Sequence, residues 1–72
     1  MKVKVTTKYI GPVGLMGSRI QASLMFAGKQ RTLRRQYDCA LSRHENHQRV
    51  ADLLLAKWEL DHPSIEKEFH FT

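Results

Sequence analysis

Four side chains with the chemistry to bind a metal or act in catalysis lie close together in the middle of the sequence. Asp38 and Cys39 are followed by His44 and His47, which lie one turn apart if the segment is helical. Zinc needs three or four converging ligands, and the spacing fixes only the two histidines. A nucleophilic cysteine needs a base, an orienting partner and oxyanion donors, and residues 38–42 offer no donor loop. We therefore expect no metal, no cofactor and no enzymatic activity, with Cys39 buried and His47 packed against a sheet.

The segment GPVGLMGS at residues 11–18 has the composition of a phosphate-binding loop without its pattern. It lacks the Lys-Ser or Lys-Thr ending that such a loop needs, and a strand pattern follows it instead of a helix. Its glycines and proline predict a mobile loop. Leu15 and Met16 are flanked by glycines there and are candidates for an apolar contact with a protein. The alternative is that both side chains fold back over the edge of the sheet.

Two segments with alternating apolar and polar residues predict neighbouring strands that each have one buried and one solvated face. The first covers residues 2–9 and the second covers residues 19–26. Gly28 permits a tight hairpin into a third strand, from about Arg31 to Tyr37, which we expect at an edge of the sheet because it is rich in arginine. The side chains expected to face the core are Val3, Val5, Thr7, Tyr9, Ile20, Ala22, Leu24, Phe26, Leu33 and Tyr37.

A helix is predicted from about Arg43 to Leu60. Ser42 and Glu45 have the spacing of a capping box, in which two side chains satisfy the free N–H groups at a helix start. Pro63 disfavours helical geometry in the residue before it and is expected to end the helix. The apolar stripe that should cover the sheet consists of His47, Val50, Ala51, Leu54 and Trp58, with Leu53 beside them and with Leu54 and Trp58 as its main anchors.

A last alternating segment, residues 65–71, predicts a fourth strand. The element order is then β-β-β-α-β. This order predicts one α+β domain spanning residues 1–72, with a mostly antiparallel four-stranded sheet and one helix packed on one face.

The length and the cysteine content limit the class of protein. A chain of 72 residues forms one domain with a thin core, and a sheet covered by a single helix seldom encloses a small substrate. We therefore expect no small-molecule substrate. Cys39 has no second cysteine to pair with, and the first residues match neither a signal peptide nor a membrane span. These features predict a cytoplasmic protein without a membrane partner.

The net charge of +5 is unevenly distributed. Residues 1–35 carry eight basic and no acidic side chains, whereas residues 36–72 carry four basic and seven acidic ones. This asymmetry favours an acidic or polyanionic partner for the first half, and the alternative is that it keeps a small protein soluble.

The basic side chains of the predicted strands alternate with the buried set, so they should line the face of the sheet that the helix leaves open. We predict that Lys4, Lys8, Arg19 and Arg34 bind the partner on this face, and that Leu15 and Met16 add an apolar contact. Such a face can follow a phosphate backbone. No exposed aromatic platform accompanies it, which argues against a dedicated reader of single-stranded nucleic acid.

Four short motifs carry a resemblance to a known group of proteins. They are TKYIGP at residues 7–12, GSRI at 17–20, YDCAL at 37–41 and ENH at 45–47. In these motifs the chain resembles a family of short uncharacterised proteins encoded by phages, plasmids and other bacterial mobile elements. It differs from the family at Arg35-Gln36, where the family tends to have an apolar residue and a proline, and at Leu15-Met16, where the family tends to have polar residues.

The resemblance implies an accessory role, such as an inhibitor of a host defence complex of the anti-CRISPR kind. Combined with the basic face and the apolar loop, it favours a binding protein whose partner is a host protein or nucleoprotein complex. The alternative is direct binding of nucleic acid through the basic face.

Overall fold

The computed structural model describes residues 2–72 of the chain. Its elements are β1 (Lys2–Ile10), β2 (Arg19–Phe26), β3 (Lys29–Gln36), α1 (Arg43–Lys57) and β4 (Glu66–Phe71). The strands form one sheet in the order β3-β2-β1-β4. Neighbouring strands are antiparallel except β1 and β4, which are parallel. The helix crosses the sheet between β3 and β4, so β4 runs in the same direction as β3 and β1. The predicted β-β-β-α-β order and the mostly antiparallel sheet are confirmed.

A two-residue turn joins β2 to β3. Ala27 and Gly28 have φ angles of 53° and 76°, as a type I′ hairpin turn requires. Because this turn is so short, pairing resumes at once, and Lys29 is already opposite Phe26. The third strand therefore begins two residues before the predicted Arg31 and ends one residue before the predicted Tyr37.

The core lies between the sheet and α1. The helix packs on β2, β3 and β1 and leaves most of β4 uncovered, so that Phe69 remains partly exposed although it is paired with the buried Val5. The buried apolar side chains are Val3, Val5, Ile20, Ala22, Leu24, Leu33, Val50, Ala51, Leu54, Leu55 and Leu60. The inward side of β1 and β2 is therefore the side that the sequence predicted, except that Tyr9 at the end of β1 is half exposed and does not join the core.

The start of α1 is fixed by the predicted capping box. The Glu45 backbone N–H donates to the Ser42 hydroxyl and the Ser42 N–H donates to the Glu45 carboxylate, each over 3.1 Å. The Ser42 N–H also lowers the pKa of the Glu45 carboxyl. Asn46 is fully buried, accepts from the Asp38 N–H and donates to the backbone carbonyls of Asp38, Leu41 and Ser42. The prediction that Cys39 is buried was wrong, because the amide of Asn46 fills the space under the helix start and Cys39 is exposed.

The helix ends at Lys57 and not at the predicted Leu60. The Leu60 N–H donates to the Leu55 carbonyl over 2.8 Å, and the Glu59 N–H donates to the Ala56 carbonyl over 3.2 Å. These two bonds form a Schellman motif, in which Glu59 has the left-handed φ of 58° that glycine usually provides. Leu60 turns back into the core. The helix is therefore ended by this motif, several residues before the proline to which the sequence assigned that role.

The two predicted anchors of α1 differ in their burial. Leu54 is fully buried, whereas Trp58 is 39% exposed. Trp58 is the residue that caps the helix, so its ring lies at the margin of the sheet, where the Arg31 guanidinium carbon is 3.9 Å from the ring centroid. The prediction that Leu54 packs in the core is confirmed, and the prediction that Trp58 is a core anchor was wrong.

His47 is packed against the sheet, as predicted. Its Nδ1 lies 2.5 Å from the buried Thr7 hydroxyl, and its ring lies 5.5 Å from the Phe71 ring centroid. Burial lowers the pKa of His47, and the nearby charges of Arg43 and His44 lower it further. A neutral imidazole therefore fits the core, and its protonation opposes folding.

Candidate binding surface

The side of the sheet opposite α1, called the open face below, is polar. Strand pairing arranges its side chains in rows that cross the sheet. One row contains Lys8, Gln21 and Arg34, and the next contains Ile10, Arg19 and Gln36. Since neighbouring strands lie about 4.8 Å apart, Lys8 and Arg34 are roughly 10 Å apart across the sheet. Three of the four predicted basic residues, Lys8, Arg19 and Arg34, thus lie in two adjacent rows at one end of the face.

A cleft lies where this end of the open face meets the edge strand β3. Its volume is about 440 Å³, and its lining residues are Met16, Gly17, Arg19, Arg34, Arg35 and Gln36. We call it the arginine cleft. No carboxylate lines it, and no arginine within residues 2–72 forms a salt bridge with a carboxylate. Three guanidinium groups of the same charge therefore share one cleft without an internal counter-ion.

Local hydrogen bonds hold two of these guanidinium groups in position. Arg34 Nε donates to the Gln21 side-chain oxygen over 2.7 Å. The position of Arg35 in β3 directs its side chain to the helix side of the sheet. Its Nη1 donates to the Arg34 carbonyl over 2.8 Å. Arg19 Nε is buried and has no hydrogen-bond partner within the described part of the chain. Most N–H donors of the three side chains thus remain free to bind an anion.

The opposite margin of the open face has a different charge balance. There β4 places Glu66 opposite Lys2 and Glu68 opposite Lys4. The Lys2 ammonium lies 4.0 Å from the Glu68 carboxylate, and His70 Nε2 lies 3.7 Å from the same oxygen. These pairs are about half exposed, so each contributes little to stability. The carboxylates of β4 therefore offset part of the positive charge at this margin, whereas Lys8, Arg19 and Arg34 form no salt bridge within residues 2–72.

The loop between β1 and β2 is more ordered than the predicted mobile loop. Val13 and Met16 exchange two backbone hydrogen bonds of 3.0 and 2.9 Å around a turn in which Gly14 has a φ of 59°. A glycine with positive φ at the first central position is typical of a type II′ turn. Leu15 at the second position is completely exposed and does not fold back over the sheet. We call the exposed side chains of Val13, Leu15 and Met16 the apolar tip.

Two tyrosines connect this loop to the rest of the fold. The Tyr9 hydroxyl lies 2.7 Å from the Ser18 hydroxyl, and the Tyr37 N–H donates to the Ser18 carbonyl over 2.9 Å. The two rings meet edge to face with centroids 5.7 Å apart. These contacts fix the end of the loop next to Arg19. As a result Met16, which belongs to the apolar tip, also lines the arginine cleft.

The sequence missed two parts of this surface. Arg35 is on the same side of β3 as the buried Leu33, so strand alternation alone places it away from the open face, yet it lines the cleft. Gln21 was not singled out in the sequence, because its hydrogen bond to Arg34 depends on a strand register that the sequence does not give. The one feature of the sequence that could have indicated the cleft is the pair of adjacent arginines, Arg34 and Arg35, in an edge strand.

The middle of the chain does not assemble the metal or nucleophile site that its residue types suggest. The His44 ring packs on Phe71 at 5.3 Å, His47 bonds to Thr7, and Cys39 is exposed. No group of three or more metal-ligating side chains occurs within residues 2–72. In the same range, no helix has the length and apolar character needed to cross a membrane.

Comparisons with family models, with curated proteins and with solved structures give no match for this chain. The residues of the four motifs noted in the sequence largely stabilise the fold. Tyr9 and Ser18 anchor the loop, Asn46 holds the helix start, and His47 bonds across to β1. Arg19 is different, because it lines the arginine cleft. The function of this chain is therefore inferred from its own surface.

Proposed function

We propose that this is a non-enzymatic binding protein that docks on a protein or nucleoprotein partner through the apolar tip and the basic end of the open face. One observation carries the proposal. Met16 belongs to the apolar tip and also lines the arginine cleft with Arg19 and Arg34. An apolar contact and a cationic contact are thereby continuous on one surface, as in interfaces that combine an apolar anchor with a charged rim.

The turn that carries Leu15 reduces the entropic cost of docking. Its two backbone hydrogen bonds fix the main chain before any partner is present, so that little freedom is lost on binding. A fully exposed leucine on such a turn can enter an apolar recess of a partner. The surrounding arginines then accelerate association with an acidic or polyanionic rim around that recess.

The proposed setting is the bacterial cytoplasm, and the proposed role is inhibition of a host defence complex of the anti-CRISPR kind. The support for this setting is the resemblance to proteins encoded by phages, plasmids and other mobile elements. CRISPR effector complexes contain both protein surface and nucleic acid, so both halves of the proposed surface would find a complementary group there.

Direct binding of nucleic acid through the basic face is the second candidate. The observation in its favour is that the row containing Lys8 and Arg34, together with Arg19 in the next row, has no carboxylate counter-ion within residues 2–72. The open face within residues 2–72 carries no Phe, Tyr or Trp, so contact with the backbone is favoured over stacking on bases.

The proposal is tested by capturing partners from bacterial cells with the tagged protein, in parallel with and without nuclease. The Leu15→Ala, Met16→Ala double variant should lose most of a nuclease-resistant partner, because both apolar anchors are removed. The control is Leu53→Ala, which changes a leucine that is 40% exposed on the outer side of α1. Capture that is equal for the wild type, the double variant and the control would contradict docking through the apolar tip.

A further inference from the structure

The arginine cleft has more donors than a purely structural role requires. Arg34 uses one N–H to bind Gln21, and Arg35 uses Nη1 to bind a carbonyl. Arg19 Nε lies buried in the same region without a partner in residues 2–72. A guanidinium group has five N–H donors in a planar fork that matches the oxygens of an anion.

We propose that the arginine cleft binds a backbone phosphate of nucleic acid. This inference rests on the proposed function and names the chemistry of the partner at that surface. The cleft then binds nucleic acid, either free or within a nucleoprotein complex, and does not bind an acidic patch of protein.

The shape of the cleft favours phosphate over a carboxylate. Its arginines come from two strands, and the side chains of Arg34 and Arg35 start on opposite sides of β3. They therefore approach the cleft from different directions. The tetrahedral oxygens of a phosphate accept hydrogen bonds from several directions, whereas the two oxygens of a carboxylate lie in one plane and suit a single fork.

The surroundings of the cleft favour a repeating anion. Lys8 lies in the same row as Arg34, roughly 10 Å away across two strand spacings, with the neutral Gln21 between them. A line of separated cations without carboxylates matches a chain of phosphates better than one acidic side chain. The lack of Phe, Tyr and Trp on the open face in residues 2–72 implies contact with the backbone alone, so the sequence of the nucleic acid should have little influence.

The experiment measures the binding of fluorescently labelled DNA and RNA oligonucleotides, single-stranded and duplex, to the purified full chain at several salt concentrations. The Arg19→Gln, Arg34→Gln double variant should bind on the order of tenfold more weakly to every sequence. The slope of log affinity against log salt should become shallower by about 0.7 to 0.9 for each phosphate contact that is lost.

The matched control is the Lys29→Gln, Lys57→Gln double variant, which removes the same charge at the other end of the molecule. Lys29 opens β3 and Lys57 closes α1, whereas the cleft lies at the end of β3. The control should change affinity less than about twofold. A second cleft variant, Arg19→Lys with Arg34→Lys, keeps the charge without the fork and should recover only part of the binding. Circular dichroism melting establishes that each variant is folded.

Three results would overturn the inference. Equal losses in the cleft variant and the control would mean that only net charge matters. Full recovery by lysine would mean that no oriented site exists. Tighter binding to a labelled poly-glutamate peptide than to any oligonucleotide would assign the cleft to acidic protein. In each case, nuclease-resistant capture of a partner that depends on Leu15 and Met16 would still support the proposed function, so the two failures are distinguishable.

Discussion

The two faces of this sheet are built from the same strands but are stabilised in opposite ways. On the helix-covered face the side chains of Val5, Ile20 and Leu54 are completely buried, and polar groups such as Thr7 and His47 bond to each other. On the open face, the basic end gathers cations without counter-ions and leaves most of their donors free. Burial of apolar surface on the covered face stabilises the fold, whereas the unpaired cations of the open face contribute nothing to the stability of the folded state.

The difference shows how one short chain separates folding from binding. A strand directs alternate side chains to opposite faces, so that neighbouring residues such as Ile20 and Arg19 serve different purposes. Substitutions on the covered face should change the free energy of unfolding. Substitutions on the open face should change affinity.

Leu54→Ala should have the largest effect on the covered face. Leu54 is fully buried between α1 and the sheet, and deletion of its side chain leaves a cavity. The expected loss is about 2 to 5 kcal/mol in the free energy of unfolding, measured by urea titration. Leu53→Ala on the neighbouring, partly exposed position should cost less than about 1 kcal/mol. Similar losses at both positions would mean that the helix face is wrongly assigned.

The pH dependence of stability should reveal the buried His47. Its pKa is lowered by burial and by the charges of Arg43 and His44, so the unfolded state binds the proton more readily. The stability that neutral His47 contributes is fully present above about pH 6.5, the ordinary pKa of histidine, and is lost as the pH falls below that pKa. Urea titrations from pH 8 to pH 5 should therefore give a decrease in the wild type.

His47→Gln removes this titration and should flatten the decrease. An identical pH profile in the wild type and in His47→Gln would exclude His47 as the cause.

Trp58→Ala should cost about 1 kcal/mol, well below the cost of Leu54→Ala. The ring is 39% exposed and stacks on the Arg31 guanidinium, a contact that contributes about 0.5 to 1 kcal/mol at an exposed site. Arg31→Ala should remove much of the same interaction, so the double variant should lose less than the sum of the two single losses. A cost as large as that of Leu54→Ala would restore Trp58 as a core anchor.

Glu59→Gly should stabilise the protein by about 0.5 to 1 kcal/mol. Glu59 has a φ of 58° after the end of α1, where glycine adopts this conformation without strain. The effect should appear as a small rise in the melting temperature. Lys57→Gly, two residues earlier and within the helix, should destabilise by a similar amount. A fall in stability for Glu59→Gly would contradict the proposed helix ending.

Much of the fold follows from local patterns in the sequence. Period-two alternation in β1 and β2 and the capping box at Ser42 are signals within a few residues, and the structure confirms them. The predictions that were wrong depended on features that the sequence signals weakly. A glutamate in a left-handed conformation ended the helix early, and the amide of Asn46 displaced Cys39 from the core.

The surface was less predictable than the fold. The sequence indicated that Lys8, Arg19 and Arg34 share the open face, because the pleat determines which side chains face outward. The position of Glu66 and Glu68 beside Lys2 and Lys4 was not predictable, since it requires the parallel pairing of strands that lie far apart in the sequence. Met16 belongs to both the apolar tip and the arginine cleft because Ser18 anchors the end of the loop, and no local sequence pattern predicts that anchoring.

The separation of the two faces is tested most directly by measuring stability and affinity on one variant, Arg19→Gln with Arg34→Gln. We predict a free energy of unfolding within about 0.5 kcal/mol of the wild type, or slightly higher because repulsion within the cleft is relieved. We predict at the same time an affinity for oligonucleotides that is lower on the order of tenfold. Unchanged affinity, or a loss of stability large enough to explain the lost binding, would contradict the account.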